Sequence, residues 1–103
     1  MTPDESDAPH PRHDLDPLLN SPVRLSIVAA LASVDAAEFR VVRNTVGLSD
    51  SALSKQVSRL ETVGYVAVRK DAIGRYARTW LRLTRPGRSA LARHLDALHR
   101  IAG

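Results

Sequence analysis

The sequence predicts an α+β domain, mostly helical, in which three helices precede a two-stranded β-hairpin and a closing helix. Three observations predict it. Two amphipathic stripes are separated by a short turn holding Gly47. After Gly64 the apolar period changes from roughly 3.6 to 2. At Thr84 a helical stripe resumes behind a capping residue and a proline. The chain has 103 residues, 44% of them hydrophobic, which is enough for one core and leaves no room for a second domain.

Taken in order, residues 1–17 hold Pro3, Pro9, Pro11 and Pro17, five acids and few apolar groups. Such a segment buries too little to order itself, so an acidic, proline-rich disordered tail is expected, with the folded domain spanning 18–103. Asn20-Ser21-Pro22 then supplies a cap and a first-turn proline. Val23, Ile27, Leu31 and Val34 recur behind it at helical spacing, with Val28 and Ala30 beside them, and the helix ends near Ser33. Asp35-Ala36-Ala37 interrupts the pattern and leaves space for a minimal strand near Ala37. Phe39, Val42 and Val46 restart it as a short helix over 39–46, closed by Gly47.

Ser49 is a good N-cap for a third helix over about 49–63, and Asp50 suits its positive end. Leu53, Val57 and Leu60 turn inward, and Gly64 ends the helix. Tyr65 to Lys70 reads as a strand, Asp71 to Tyr76 as a turn around Gly74, and Arg78 to Leu83 as the returning strand. Thr79, Leu81 and Leu83 share one face of that strand, with Trp80 on the other, to pack under the last helix or at a subunit interface. Thr84 caps the last helix, Pro86 sits in its first turn, and Leu91, Leu95, Leu98 and Ile101 form a narrow stripe.

Charge narrows the partner. Residues 1–17 carry five acids against Arg12, whereas residues 18–103 carry 14 Lys and Arg against 6 Asp and Glu. Residues 69–100 are the extreme, with nine basic and two acidic side chains. A basic domain behind an acidic tail points to a polyanion. The absence of cysteine removes disulfides, thiolate metal sites and thiol redox sensing. No apolar run approaches the roughly 20 residues that span a bilayer, and the first 17 residues lack the apolar stretch of a signal peptide, so a cytoplasmic protein without membrane contact is expected.

The order helix, helix-turn-helix, hairpin, helix is that of a winged helix. Four segments resemble small winged helix-turn-helix transcriptional regulators of the MarR/ArsR-like superfamily: Pro22 to Ile27, Leu48 to Glu61, Gly64-Tyr65-Val66, and Leu83-Thr84-Arg85-Pro86-Gly87-Arg88. The resemblance covers 18–103 and implies a DNA-binding regulator that works as a homodimer, with repression the direction it leans. Beside it stands a physical reading of the third helix. Opposite its apolar stripe lie Ser51, Ser54, Lys55 and Ser58, flanked by Gln56 and Arg59. Small side chains let a helix sit deep in a major groove, Lys or Arg can bond guanine, and Gln can pair with adenine. Ser49 and the helix N-terminus suit a phosphate.

The hairpin holds Lys70, Arg75, Tyr76 and Arg78, and the resemblance implies that this wing, about 70–78, reaches the adjacent minor groove, where Arg75 is the expected insert. Arg40 and Arg43 on the second helix are candidates for the DNA backbone. One such domain contacts few bases, so a dimer through Leu91, Leu95, Leu98, Ile101 and the first helix is expected. No metal site or cofactor is expected. His94 and His99 are five residues apart, off a shared helix face, and read as solvated or interface histidines, while His10 and His13 belong to the tail. No glycine-rich phosphate loop, nucleophile triad or paired carboxylates mark an enzyme. The competing function is a winged helix that docks an acidic protein without touching DNA. RNA fits less well, because aromatic stacking platforms are absent.

Overall fold

The computed structural model describes residues 9–103. The order is α1 (Pro22–Ala32), β1 (Ala37–Glu38), α2 (Phe39–Val46), α3 (Asp50–Thr62), β2 (Val66–Ile73), β3 (Tyr76–Leu83) and α4 (Arg85–Ala102). This is a winged helix. The sheet is antiparallel with order β1-β3-β2, so the brief strand before α2 pairs with the far side of the hairpin. The core gathers Leu19, Ile27, Val28, Leu31, Leu53, Leu60, Val66, Leu81 and Leu83 between the helices and the inner face of the sheet. No helix among the described residues is long and apolar enough to cross a membrane.

Capping chemistry sets the helix starts. Ser21 Oγ accepts the Arg24 N–H at 3.3 Å, Ser49 Oγ accepts the Ala52 N–H at 3.1 Å, and Thr84 Oγ1 accepts the Gly87 N–H at 3.1 Å. Pro22 and Pro86 occupy first turns, where a missing N–H costs nothing. On α1, however, the buried seam is Ile27, Val28 and Leu31, while Val23 and Val34 at the ends of the expected stripe are exposed.

The hairpin is longer and its turn tighter than the sequence suggests. Pairing continues from Val66↔Leu83 out to Ile73↔Tyr76, leaving only Gly74 and Arg75 in the loop. The expected turn over Asp71 to Tyr76 is therefore mostly strand. Asp71 faces Arg78, and Ile73 faces Tyr76, pairs that stabilise a ladder when directly opposed. Gly74 has φ +60, and a two-residue hairpin loop needs a positive φ at its first central position.

Two further expectations are corrected along α4. Its buried seam is Gly87, Ala90, Leu91, His94 and Ala97, rotated from the leucine stripe, so only Leu91 of that stripe lies in the core. Small residues serve here because α4 lies close against its neighbours: a Cβ on Gly87 would stand 2.3 Å from the Tyr65 carbonyl oxygen and 2.6 Å from Leu83 Cδ1. His94, expected to be solvated or at an interface, is 1% exposed, and its Nδ1 accepts the Asp16 N–H at 3.0 Å.

That bond belongs to the third correction. Residues 9–17, part of the expected disordered tail, form a strap along α4 that includes a 3-10 turn over Pro11–Asp14. The rest of the tail expectation, residues 1–8, lies outside the described residues. The strap is held by polar ties more than by apolar burial. Asp16 Oδ1 accepts the Leu18 N–H at 2.9 Å, Asp16 Oδ2 accepts the Tyr65 hydroxyl at 2.5 Å, and Asp14 pairs with Arg100 at 2.7 Å. Leu19, at its end, is fully buried. Trp80 packs neither under α4 nor into the core. It lies on the outer face of the sheet, half-buried, paired across to Arg69 and Glu38, with the Arg69 guanidinium 5.8 Å from its ring centre.

Candidate nucleic-acid interface

The candidate interface centres on α3. Its inner stripe fixes the rotation of the helix: Leu53 and Leu60 are fully buried and Val57 is 5% exposed. With that side sealed, Ser51, Ser54, Lys55, Ser58 and Arg59 are left facing solvent together. Ser49 is exposed at the N-terminus, where its hydroxyl is engaged as the cap. The open side of the helix is thus polar, small and cationic, as expected from the sequence.

Gln56 stands apart. It is half-buried on the flank toward α1, and its Oε1 accepts a hydrogen bond from Arg24 Nη1 at 3.1 Å. Arg24 Nε in turn donates to the Leu18 carbonyl at 2.5 Å. A side-chain oxygen already held in this way is poorly placed for the two-point adenine pairing that its residue type allows. No sequence pattern signals this, because Arg24 is 32 residues away.

Arg40 and Arg43 reach the same side of the domain from α2, but both are engaged. Arg40 Nε lies 3.0 Å from Glu38, and Arg43 Nη1 lies 2.7 Å from Asp50, the first residue of α3. The Arg43 pair ties the two helices of the helix-turn-helix together across Gly47. Arg40 keeps most of its side chain exposed.

The hairpin projects beside α3. On its inner face Lys70 pairs with Thr79, and together with Ser54, Ser58 and Glu61 they line a crevice of about 280 Å3 between helix and wing. The sequence marks Thr79 only as a strand-face residue, since its position opposite α3 follows from a register that the sequence leaves open. On the outer face come Tyr76, Arg78 and Arg69, of which Arg69 pairs with Asp71 at 3.1 Å and Arg78 lies 3.8 Å from Glu38. Arg75 occupies the turn itself. Among the described residues Lys55, Arg59, Lys70 and Arg75 make no ion pair, so their charge is directed outward.

The expected subunit contacts lie elsewhere, on α4. Leu95 and Ile101 are 47% and 42% exposed, Leu98 is half-buried, and Leu91 is committed to the core.

Comparison with known proteins places this geometry in context. The profile of the winged helix DNA-binding domain matches residues 23–102. An uncharacterized protein of Methanocaldococcus jannaschii is 30% identical over 78 residues, which is 76% of this chain and 85% of that protein. The structure of a transcriptional regulator homologue from Pyrococcus horikoshii superposes with a TM-score of 0.77 at 28% identity, covering 82% of this chain and 84% of that one. The regulator MosR of Mycobacterium tuberculosis, solved in complex with DNA, shares the fold with a TM-score of 0.70 at 18% identity, covering 89% of this chain and 65% of that one.

Proposed function

We propose that this chain, which belongs to the winged helix DNA-binding domain family, is a transcriptional regulator that reads specific double-stranded sequences as a homodimer and acts as a repressor. The family and its fold are those of DNA-binding transcriptional regulators rather than enzymes. The finer reading rests on one observation above all: the polar side of α3 is open to solvent beside a wing whose Lys70 and Arg75 make no ion pair among the described residues.

In this reading α3 enters the major groove. Lys55 and Arg59 offer donors to guanine O6 and N7, and Ser51, Ser54 and Ser58 keep the helix slim enough to approach. The wing reaches the neighbouring minor groove with Arg75, and Lys70, beside α3, meets a phosphate between the two grooves. The cap at Ser49 leaves further backbone N–H groups of the first turn for a phosphate. Arg40 and Arg43 contact the backbone by exchanging Glu38 and Asp50 for it. The dimer forms through Leu95, Leu98 and Ile101 of α4, and places two copies of α3 about one DNA turn apart.

Binding of the full chain to a random pool of duplexes, followed by recovery, sequencing and salt titration, tests the reading. A recovered motif with two half-sites, and affinity falling steeply with salt, is the expected outcome. Equal recovery of all sequences contradicts specific readout, and a sedimenting monomer at micromolar concentration contradicts the dimer.

A further inference from the structure

Resting on the DNA reading above, we propose that the tip of the hairpin is an apolar wedge: Ile73 and Tyr76 flank Arg75, enter the minor groove with it and open a base step, so that the protein kinks the duplex it binds. Ile73 and Tyr76 are direct cross-strand partners closing the two-residue turn. Directly opposed side chains in an antiparallel pair project from the same face. They are 65% and 75% exposed, more than any other large apolar side chain among the described residues. A single exposed apolar residue needs no account. A matched pair at the end of a basic hairpin does, because burial of neither contributes to the fold.

The surroundings decide what covers the pair. Strand alternation makes Asp71 and Arg78 the next rung on that face, followed by Arg69 and Trp80. The charged rung separates the tip from Trp80, so the apolar surface is a small island and not the end of a larger patch. Such an island is too narrow for a stable protein interface. It fits a minor groove about 6 Å wide, with walls of deoxyribose that are largely apolar. Arg75 in the turn and Arg78 on the next rung complement the phosphates on either side. Proteins that kink DNA from this groove insert aliphatic or aromatic side chains of this kind between bases, beside arginines that read the groove.

The test uses the full chain and 30-bp duplexes recovered from the random pool by the wild-type protein, labelled at both ends for energy transfer. Wild-type protein shortens the end-to-end distance by an amount corresponding to a bend of at least about 20°. Ile73→Ser combined with Tyr76→Ser abolishes the shortening and lowers affinity about tenfold, yet leaves the salt slope unchanged, because no phosphate contact is lost. Ile73→Leu combined with Tyr76→Phe restores both bend and affinity. Tyr76→Ser alone, at the more exposed of the two sites, gives an intermediate bend. A wild-type complex that is straight, or a serine variant that bends DNA as wild type does, overturns the wedge and leaves the DNA reading standing. A pool from which no duplex is recovered at low salt overturns the DNA reading itself.

Discussion

The strap and the wing side of this small domain both hold ion pairs, and they differ in the cations left over. At the strap, charged and polar groups are spent on each other. Arg100 holds Asp14 at 2.7 Å and Asp96 at 2.9 Å, and Asp16 gathers the Tyr65 hydroxyl and two backbone N–H groups. At α3 and the wing, Asp50, Asp71 and Glu38 take Arg43, Arg69 and Arg78, while Lys55, Arg59, Lys70 and Arg75 are left with no acidic partner among the described residues. The contrast separates roles that net charge alone merges. On the proposed reading the strap end serves stability and the wing end meets a polyanion. Substitutions at the first should change folding and leave DNA contacts intact, and substitutions at the second should do the reverse.

The largest expected loss of stability is that of Gly87→Ala, where α4 meets Tyr65 and Leu83. The added methyl group meets backbone at the Tyr65 carbonyl, which cannot move as a flexible side chain would. Overpacking of this kind costs about 3 kcal/mol, read as a fall in thermal midpoint with DNA affinity unchanged at low temperature. Asp16→Ala comes next, at about 2 kcal/mol, since it strips an acceptor from Tyr65, Leu18 and Leu19 together. Tyr65→Phe removes one of those bonds for about 1 kcal/mol and adds a pH signature. The hydrogen bond to Asp16, followed by partial burial, raises the Tyr65 pKa above its ordinary value of 10.0. The stability from that bond is therefore complete below pH 10 and is lost as pH rises through the raised value. Urea titrations on both sides of that window should show the loss in wild type and not in Tyr65→Phe.

Much of the wing end was legible in the sequence, because it follows from local rules. The Leu53, Val57, Leu60 stripe fixes which side of α3 is open, and Ser49, Thr84 and Ser21 cap where their chemistry says they should. The strap was not legible, because its partners are remote: Asp16 meets Tyr65 from 49 residues away and His94 from 78. Composition made residues 9–17 look incapable of ordering, yet a few well-placed polar bonds and the buried Leu19 hold them. The α4 stripe misled for a related reason. Leucines mark a helix face by size, but close approach to Tyr65 and Leu83 demands a glycine at 87, and the buried seam runs on through Ala90 and Ala97.

At the wing end the expected effects on folding are small and those on DNA specific. Lys55→Ala should relax preference at one base pair, worth about 1–3 kcal/mol of discrimination, measured by titrating matched and mismatched duplexes. Gln56→Ala should shift base preference less than Lys55→Ala does, because its oxygen is held by Arg24. The smallest effect is that of Arg75→Ala, which lowers the salt slope by about 1 and weakens all sequences alike.

The contrast between the two ends is tested most directly by following backbone amide resonances while a duplex recovered from the random pool is added. The account predicts that signals from Ser49 to Arg59 and from Lys70 to Arg78 shift or broaden first, while those of the strap from His13 to Leu19 stay in place. Perturbation confined to the strap and α4, with α3 and the wing unmoved, would contradict it.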